Sequence, residues 1–306
     1  MPFLMEVDEN RFLKLGHLYF KVGSPKYLLC MGIEMTRWLF LTARFVVRAL
    51  YDYLTGKGLS ESRMICIPAP FVAQLRARAM SELASEAKEP FWLSAGDVLC
   101  GWWARIIVAA GPPASPQQEI VINNVLGLRM LYDLIPPEKA YISNALMMMP
   151  SFFTAKDLLG QPLGCSAFIL RQAVTNLKTR EQIEARFQLD RGPQQRGLSA
   201  LYGSAGMRMI ICTNWSKNKI HEVDFSAAVL KSGDRKRPSK VGRPSYTQLH
   251  AFAQSASFLN TFSINEDSDG NYWIYSLLPT RGKYWENVED LLQEEFQGAT
   301  ADQVKK

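Results

Sequence analysis

The sequence predicts an α/β protein, because helical and extended signals alternate along most of its length. Helix starts recur as a Ser or Thr followed three residues later by an Asp or Gln, the reciprocal pairing that satisfies free amides in a first turn. Between them lie short runs of β-branched and aromatic residues bounded by turn formers, which is how strands read. The 306 residues are 47% hydrophobic and 11% aromatic, enough to bury a sizeable core and too apolar for a disordered or fibrous chain.

Taken in order, the first strand is expected over Met64–Ile67, joined by Pro68 and Pro70 to a helix over 71–87. Ser94 and Asp97 form the first capping box, followed by a helix in which Leu99, Trp102, Trp103, Ile106 and Ile107 recur at helical spacing. Strands are expected over Glu119–Arg129, Met207–Thr213, Ile220–Phe225 and Asn271–Leu277. Thr154 and Asp157 form a box followed so soon by Gly160 and Pro162 that it supports a single turn. From Leu163 a helix runs with Ala167, Leu170, Val174 and Leu177 as its core stripe, and Thr179 with Gln182 opens another to about Leu189. Ser245 with Gln248 opens a further helix carrying Leu249, Phe252, Ala253 and Ala256 on one face. Residues 266–271 crowd acids, Gly270 and Asn271 into a hairpin tip. A final amphipathic helix buries Trp285, Val288, Leu291 and Leu292, with Gly298–Lys306 expected to fray. The composition break at Thr55–Gly58 is the candidate domain boundary, separating 1–57 from 58–306.

Composition excludes several function classes. Residues Trp38–Tyr53 are apolar but carry Arg44 and Arg48 and are too short for a bilayer span. Glu6, Asp8 and Glu9 stand where a secretory leader needs basic and then apolar residues, so a cytoplasmic protein with no membrane partner is expected. The five cysteines form no C-x-x-C pair, which points to reduced thiols and no metal centre. Much of the net charge of +6 sits in Lys231–Arg243, six basic residues against one acid. No aromatic interrupts that run, so it reads as a solvated loop and no nucleic-acid partner is expected.

Three histidines are available as a general base: His17, His221 and His250. On a strand, His221 and Asp224 would point to opposite faces and could not pair. His250 has no acid within a helical turn, and His17 sits in an apolar setting that makes it the weak catalytic candidate. No G-x-S-x-G, P-loop or G-x-G-x-x-G is present, so these residues alone assign no reaction.

The order of segments from Met64 to Leu277 resembles the carboxyl-terminal domain of the BAHD-type acyl-CoA-dependent acyltransferases, in particular their fungal secondary-metabolism branch. Ser94, Asp97, Val98, Leu99 and Trp102 are similar to the family's S-x-x-D-V-L-x-A-W helix. Arg129, Pro136, Pro137, Tyr141 and Asn144 resemble its R…P-P…Y-x-G-N stretch, with Ser143 in place of Gly. Thr213–Trp215 leading to Val223–Ser226 resembles the segment ending in D-F-G-W-G, of which Asp224 and Phe225 remain.

The resemblance implies a chloramphenicol-acetyltransferase-like fold, a mixed sheet flanked by helices, with 1–57 the remnant of an amino-terminal domain and crossover. It implies acyl-CoA as co-substrate and a small-molecule hydroxyl or amine as acceptor. It gives Asp224, Phe225, Arg129 and Asn144 structural roles, with Arg129 paired to an acid of the other domain. The family's base is the His of an H-x-x-x-D motif, but Lys21, Phe225 and Gln254 stand four residues after the three histidines, so the motif is absent. Three readings stay open: an acyltransferase with an unrecognised base or a lost front half; a non-catalytic remnant or half-enzyme that binds a ligand or a second chain; and an unrelated α/β scaffold.

Overall fold

The strand segments assemble into one mixed six-stranded sheet of order β1-β6-β5-β4-β2-β3. The strands are β1 (Ser60–Ile67), β2 (Glu119–Gly127), β3 (Leu146–Thr154), β4 (Arg208–Asn214), β5 (Thr261–Glu266) and β6 (Tyr272–Pro279). The computed structural model describes residues 43, 47, 50, 51, 54, 60–84, 91–130, 142, 144–195, 202–204, 206–231, 241–244, 247, 260–280 and 283–304. Parallel pairing joins β2 to β4 and β4 to β5, while β1–β6, β5–β6 and β2–β3 are antiparallel.

The helices are α1 (Ala69–Ala84), α2 (Ala95–Ala110), α3 (Ala155–Gly160), α4 (Leu163–Leu177), α5 (Arg180–Gln195) and α6 (Tyr284–Val304). The Ser94 box forms as expected: the Ser94 oxygen accepts from the Asp97 amide and the Asp97 carboxylate accepts from the Ser94 amide. The Thr154 hydroxyl caps α3, which ends at Gly160. α5 outruns the expected stop near Leu189 and runs through Gly192 and Pro193 to Gln195. α6 likewise continues through Gly298 to Val304. The helix expected from Ser245 and the boundary at Thr55–Gly58 lie outside the described residues, apart from Thr247.

α2 is the apolar centre. Val98, Leu99, Trp103 and Ile107 are fully buried, packed among Ile120, Ile122, Ile210, Phe262, Ile264 and Ile274 of the sheet. Trp103 buries its ring yet keeps its indole N–H satisfied, donating to the Ser276 hydroxyl at 3.2 Å. The sheet alternation then follows: Ser276, Phe262, Ile264, Ile122 and Ile210 face the helices, and their sequence neighbours face away. Both edge strands are held by side chains. Arg186 of α5 donates to the Met148 carbonyl of β3, and Trp285 of α6 donates to the Glu61 carbonyl of β1, each occupying an edge acceptor.

Two strands escaped the sequence reading and one expected strand is absent. β3 is interrupted by Pro150, a residue that argues against a strand unless it lies on an edge, as it does here. β5 is six residues long and alternates Phe262 and Ile264 with Thr261, Ser263 and Asn265, too polar to stand out beside a turn cluster. Ile220–Phe225 is no strand: Lys219 adopts a left-handed conformation, Ile220–Glu222 forms a 3-10 turn, and the Asp224 carboxylate accepts from the Ser226 amide at 2.8 Å. Such local capture of an amide by Asp competes with a ladder and wins.

α1 and α4 approach closely at Gly164, where an added Cβ would stand 2.4 Å from the Ala79 carbonyl oxygen. Gly164→Ala is therefore expected to destabilise the protein by about 1–3 kcal/mol. A lowered urea midpoint at unchanged slope would register this; an unchanged midpoint would contradict the close approach.

Candidate functional site at the carboxyl end of the parallel strands

In an open α/β sheet the carboxyl ends of parallel strands are where loops diverge and ligands bind. β2, β4 and β5 all finish at the same end of this sheet, where β3 and β6 begin and α1 and α2 start. The described candidate residues collect there. Arg129 is exposed on the 3-10 turn Leu128–Met130 that closes β2, and Asn144 is exposed just before β3. The Leu128 amide donates to the Ala145 carbonyl at 2.8 Å, so Arg129 and Asn144 flank one backbone bond.

β4 ends in Thr213, Asn214 and Trp215. The Trp215 indole N–H donates to the Thr213 hydroxyl at 2.9 Å, and the Trp215 amide donates to the Ile264 carbonyl at 2.7 Å. Asn214 accepts from the Ser216 amide and hydroxyl, at 2.9 and 2.7 Å. The α2 amino terminus comes so near that a Cβ on Gly96 would stand 2.1 Å from the Asn214 side-chain nitrogen Nδ2. Asp97, buried at that terminus, also pairs with Arg171 of α4, whose guanidinium lies over the Trp92 ring at 4.9 Å. The capping box announced Asp97 as a helix start; nothing in the spacing announced Arg171 as its ionic partner.

His221 and Asp224 do not pair, as expected, but for a different reason. With the segment turned rather than extended, the His221 ring nitrogen Nδ1 faces the Glu266 carbonyl at 3.2 Å. Asp224 instead accepts from the Ser226 amide and faces Arg243 at 3.5 Å. The Ser226 side chain, the Ser226 amide and Arg243 together hold its carboxyl below the usual range. Phe225 is exposed, and its amide donates to the Gly242 carbonyl at 2.7 Å. Gly242 has φ +83°, and a Cβ there would stand 2.6 Å from Ser226 backbone atoms, so only glycine fits. The end of the basic segment therefore packs on the Asp224–Ser226 turn rather than running free as a solvated loop; 232–240 lie outside the described residues. His17 and His250 also lie outside them.

The β5–β6 tip, also at this end, is organised by Asp267. Its carboxylate accepts from the amides of Asp269 and Asn271 at 2.9 Å each and from the Trp273 indole at 2.8 Å. Burial pushes this carboxyl up, but the Trp273 and Asn271 hydrogen bonds outweigh it and the value falls below the ordinary one. Among the described residues no three His, Cys, Asp or Glu side chains are placed to hold a metal ion. Among the described residues Cys66, Cys100 and Cys212 stand outside any disulfide. No helix among the described residues is long and apolar enough to cross a membrane.

A depressed carboxyl stabilises the fold in its ionised form. The contribution of Asp267 is complete above the unfolded value of about 3.9 and is lost as pH falls through the lower folded value. Asp267→Asn should lower stability at neutral pH and flatten its fall below about pH 4. Acid unfolding profiles that stay parallel in the two proteins would contradict this assignment.

No protein-family profile matches the chain. Curated relatives do. Acetyltransferase adrJ of Penicillium roqueforti is 37% identical over 267 residues, 83% of this chain and 51% of the relative. Acetyltransferase sphE of Aspergillus fumigatus is 32% identical over 267 residues, 83% of this chain and 50% of the relative. A Penicillium decumbens protein named transcriptional regulator calD is 32% identical over 268 residues, 85% of this chain and 52% of the relative.

Among solved structures, Fusarium sporotrichioides TRI101 complexed with coenzyme A and T-2 matches with TM-score 0.58 at 16% identity, over 76% of this chain and 49% of that one. Fusarium graminearum TRI101 complexed with coenzyme A and deoxynivalenol matches with TM-score 0.58 at 12% identity, over 77% and 47%. At such identities the likeness is one of fold. With this sheet, these helices and these relatives, the chain belongs to the fungal BAHD-type acyltransferases of chloramphenicol-acetyltransferase-like fold, and it spans about half the length of the curated relatives it matches.

Proposed function

We propose that this chain is the carboxyl-terminal part of an acyl-CoA-dependent acyltransferase of fungal secondary metabolism, moving an acyl group from coenzyme A to a hydroxyl or amine of a small molecule. The observation that carries it is the 37% identity to an acetyltransferase over 267 residues. The coenzyme A in the TRI101 crystals supports the choice of donor, and T-2 and deoxynivalenol in the same crystals support a small-molecule acceptor. We place the protein in the cytoplasm and read residues 1–57 as the remnant of a preceding domain and crossover, with 58–306 the acyltransferase-like domain.

In such a reaction a base takes the acceptor proton as the acceptor oxygen or nitrogen attacks the thioester carbonyl. The tetrahedral intermediate then collapses, the carbon–sulfur bond breaks, and the leaving sulfur receives the proton as free coenzyme A. The weak candidate for the base is His17, on its apolar sequence setting; among the described residues the His221 ring faces the Glu266 carbonyl. Asp224 and Phe225 act structurally, anchoring the turn after β4 to Gly242 and Arg243. Arg129 and Asn144 shape the end of β2 and β3, and Arg129 is assigned to an acid supplied by the rest of the enzyme.

A second reading is favoured by one observation: H-x-x-x-D is absent from the 306 residues. On that reading the chain is a non-catalytic remnant or a half-enzyme whose base comes from a second chain.

Titration calorimetry with acetyl-CoA and free coenzyme A, followed by thiol release with a panel of phenols and alcohols, separates the two. Binding with turnover supports the enzyme, and His17→Ala should then lower kcat by about 10²–10⁴-fold while His221→Ala stays within about threefold. Binding without turnover supports the half-enzyme. Absence of both overturns the acyltransferase reading.

A further inference from the structure

Two thiols meet in the layer between α2 and the sheet. On the helix-facing side of β2 and β4, Ile120, Ile122 and Asn124 lie beside Ile210 and Cys212. Asn124 and Cys212 are partners in the parallel register. Cys100 comes down on this pair from α2, and its thiol donates to the Asn124 side-chain carbonyl at 3.5 Å. The Cys212 thiol is in turn hydrogen-bonded to Cys100. Both cysteines are 1% exposed and neither is in a disulfide.

A single buried cysteine behaves as a small hydrophobe. Two thiols in hydrogen-bond contact have a reaction that neither has alone, the two-electron oxidation to a disulfide. Closing the bond asks the sulfurs to approach from that contact to about 2.05 Å. The elements that carry them are the central buried helix and an interior strand, so the pair is held together by the fold and not by loops.

Its place in the molecule gives the bond a consequence. Cys100 stands one helical turn after Gly96, and Cys212 stands two residues before Asn214. Gly96 and Asn214 are where the α2 amino terminus meets the end of β4 at the candidate site. A covalent link one turn away would fix that contact.

The resting chemistry is slow. Burial pushes the Cys212 thiol well above its ordinary value, and the hydrogen bond to Cys100 adds to the rise. Cys212 is therefore held as a thiol at neutral pH, and oxidation waits on local opening of the layer.

We propose that Cys100 and Cys212 form a redox-sensitive pair, closed to a disulfide by a peroxide, that staples α2 to β4 beside the candidate site. The peroxide takes one sulfur, as thiolate, to a sulfenic acid and releases hydroxide. The second thiol attacks that sulfur, the sulfur–oxygen bond breaks, and the oxygen leaves as water. Two thiols and one hydrogen peroxide give one disulfide and two waters, the electron pair passing from sulfur to peroxide. The pair stands on its own geometry and does not depend on the acyltransferase reading.

The purified chain, below its melting midpoint, is treated with hydrogen peroxide, remaining thiols are blocked, and non-reducing peptide maps are read by mass spectrometry. The expected product is a linked Cys100–Cys212 peptide pair, lighter by two hydrogens, reversed by dithiothreitol and absent from Cys100→Ala and Cys212→Ala. Recovery of both cysteines as thiols or as separate sulfur acids overturns the pair, as does linkage of either one only to Cys30, Cys66 or Cys165. If an alanine variant fails to fold, the wild-type map alone decides.

The disulfide closes a loop of about 110 residues, so the midpoint of the oxidised protein should rise by at least about 5 °C and fall back on reduction. A linked protein whose midpoint is unchanged or lowered has closed the bond at the expense of the native packing, which overturns the staple. Amide hydrogen exchange over Thr213–Ser216 should slow by at least about fivefold on oxidation. Unchanged exchange there overturns the effect on the candidate site.

Discussion

Everything in this structure hangs on the burial of α2 against one face of the sheet. The helix has an almost wholly apolar sequence, so it cannot lie on a surface, and β2, β4, β5 and β6 offer Ile120, Ile122, Ile210, Phe262, Ile264 and Ile274 to receive it. Its single indole bond to Ser276 fixes where along the sheet it sits. Its amino terminus, capped by Ser94 and tied to α4 through Asp97 and Arg171, is thereby brought against Asn214 at the end of β4. The register of the helix on the sheet and the geometry of the candidate site are consequently one constraint. A shift of α2 by one turn, about 5.4 Å, would separate Gly96 from Asn214.

The same constraint decides where chemistry can be placed. β2, β4 and β5 run parallel, which leaves all three carboxyl ends together. The turns found there are held by their own hydrogen bonds rather than by the core. Trp215 is tied to Thr213, Asp224 to Ser226, Phe225 to Gly242, and Asp267 to Trp273 and Asn271. Short-range bonds of this kind let a surface loop keep one shape without apolar burial, which suits an end of the molecule that must meet a polar molecule.

Much of the helix layer was legible because its signals are local. Ser94 with Asp97 and Thr154 with Asp157 state a helix start within four residues, and Leu163 to Leu177 states a stripe. Strands were legible where β-branched, aromatic and long apolar residues run together, as in β2, β4 and β6. β5 was missed because its outward face is polar, and β3 because Pro150 is acceptable only on an edge, a property of the sheet and not of the strand. Ile220–Phe225 was misread because β-branched and aromatic residues suggested a ladder, while the deciding bond, Asp224 to the Ser226 amide, is a two-residue event that composition does not reveal. At the candidate site the motif order named Arg129, Asn144 and Asp224, and all three stand at one end of the sheet. It could not supply Arg171, Arg243 or Gly242, which reach that end from segments distant in sequence.

The feature that hid β5 from the sequence is also the one that sets it apart in the structure. A strand at the centre of a sheet is expected to be apolar on both faces once both are buried, and β4 beside it obeys this with Ile210, Ile211 and Cys212. β5 obeys it on the α2 side alone. Local propensity and global burial disagree on its other face, and sites of such disagreement are where sequences keep a cost that packing alone would have removed. The cost is sustained beside Thr213 and Trp215, not at the remote end of the sheet where Glu119 and Arg208 lie.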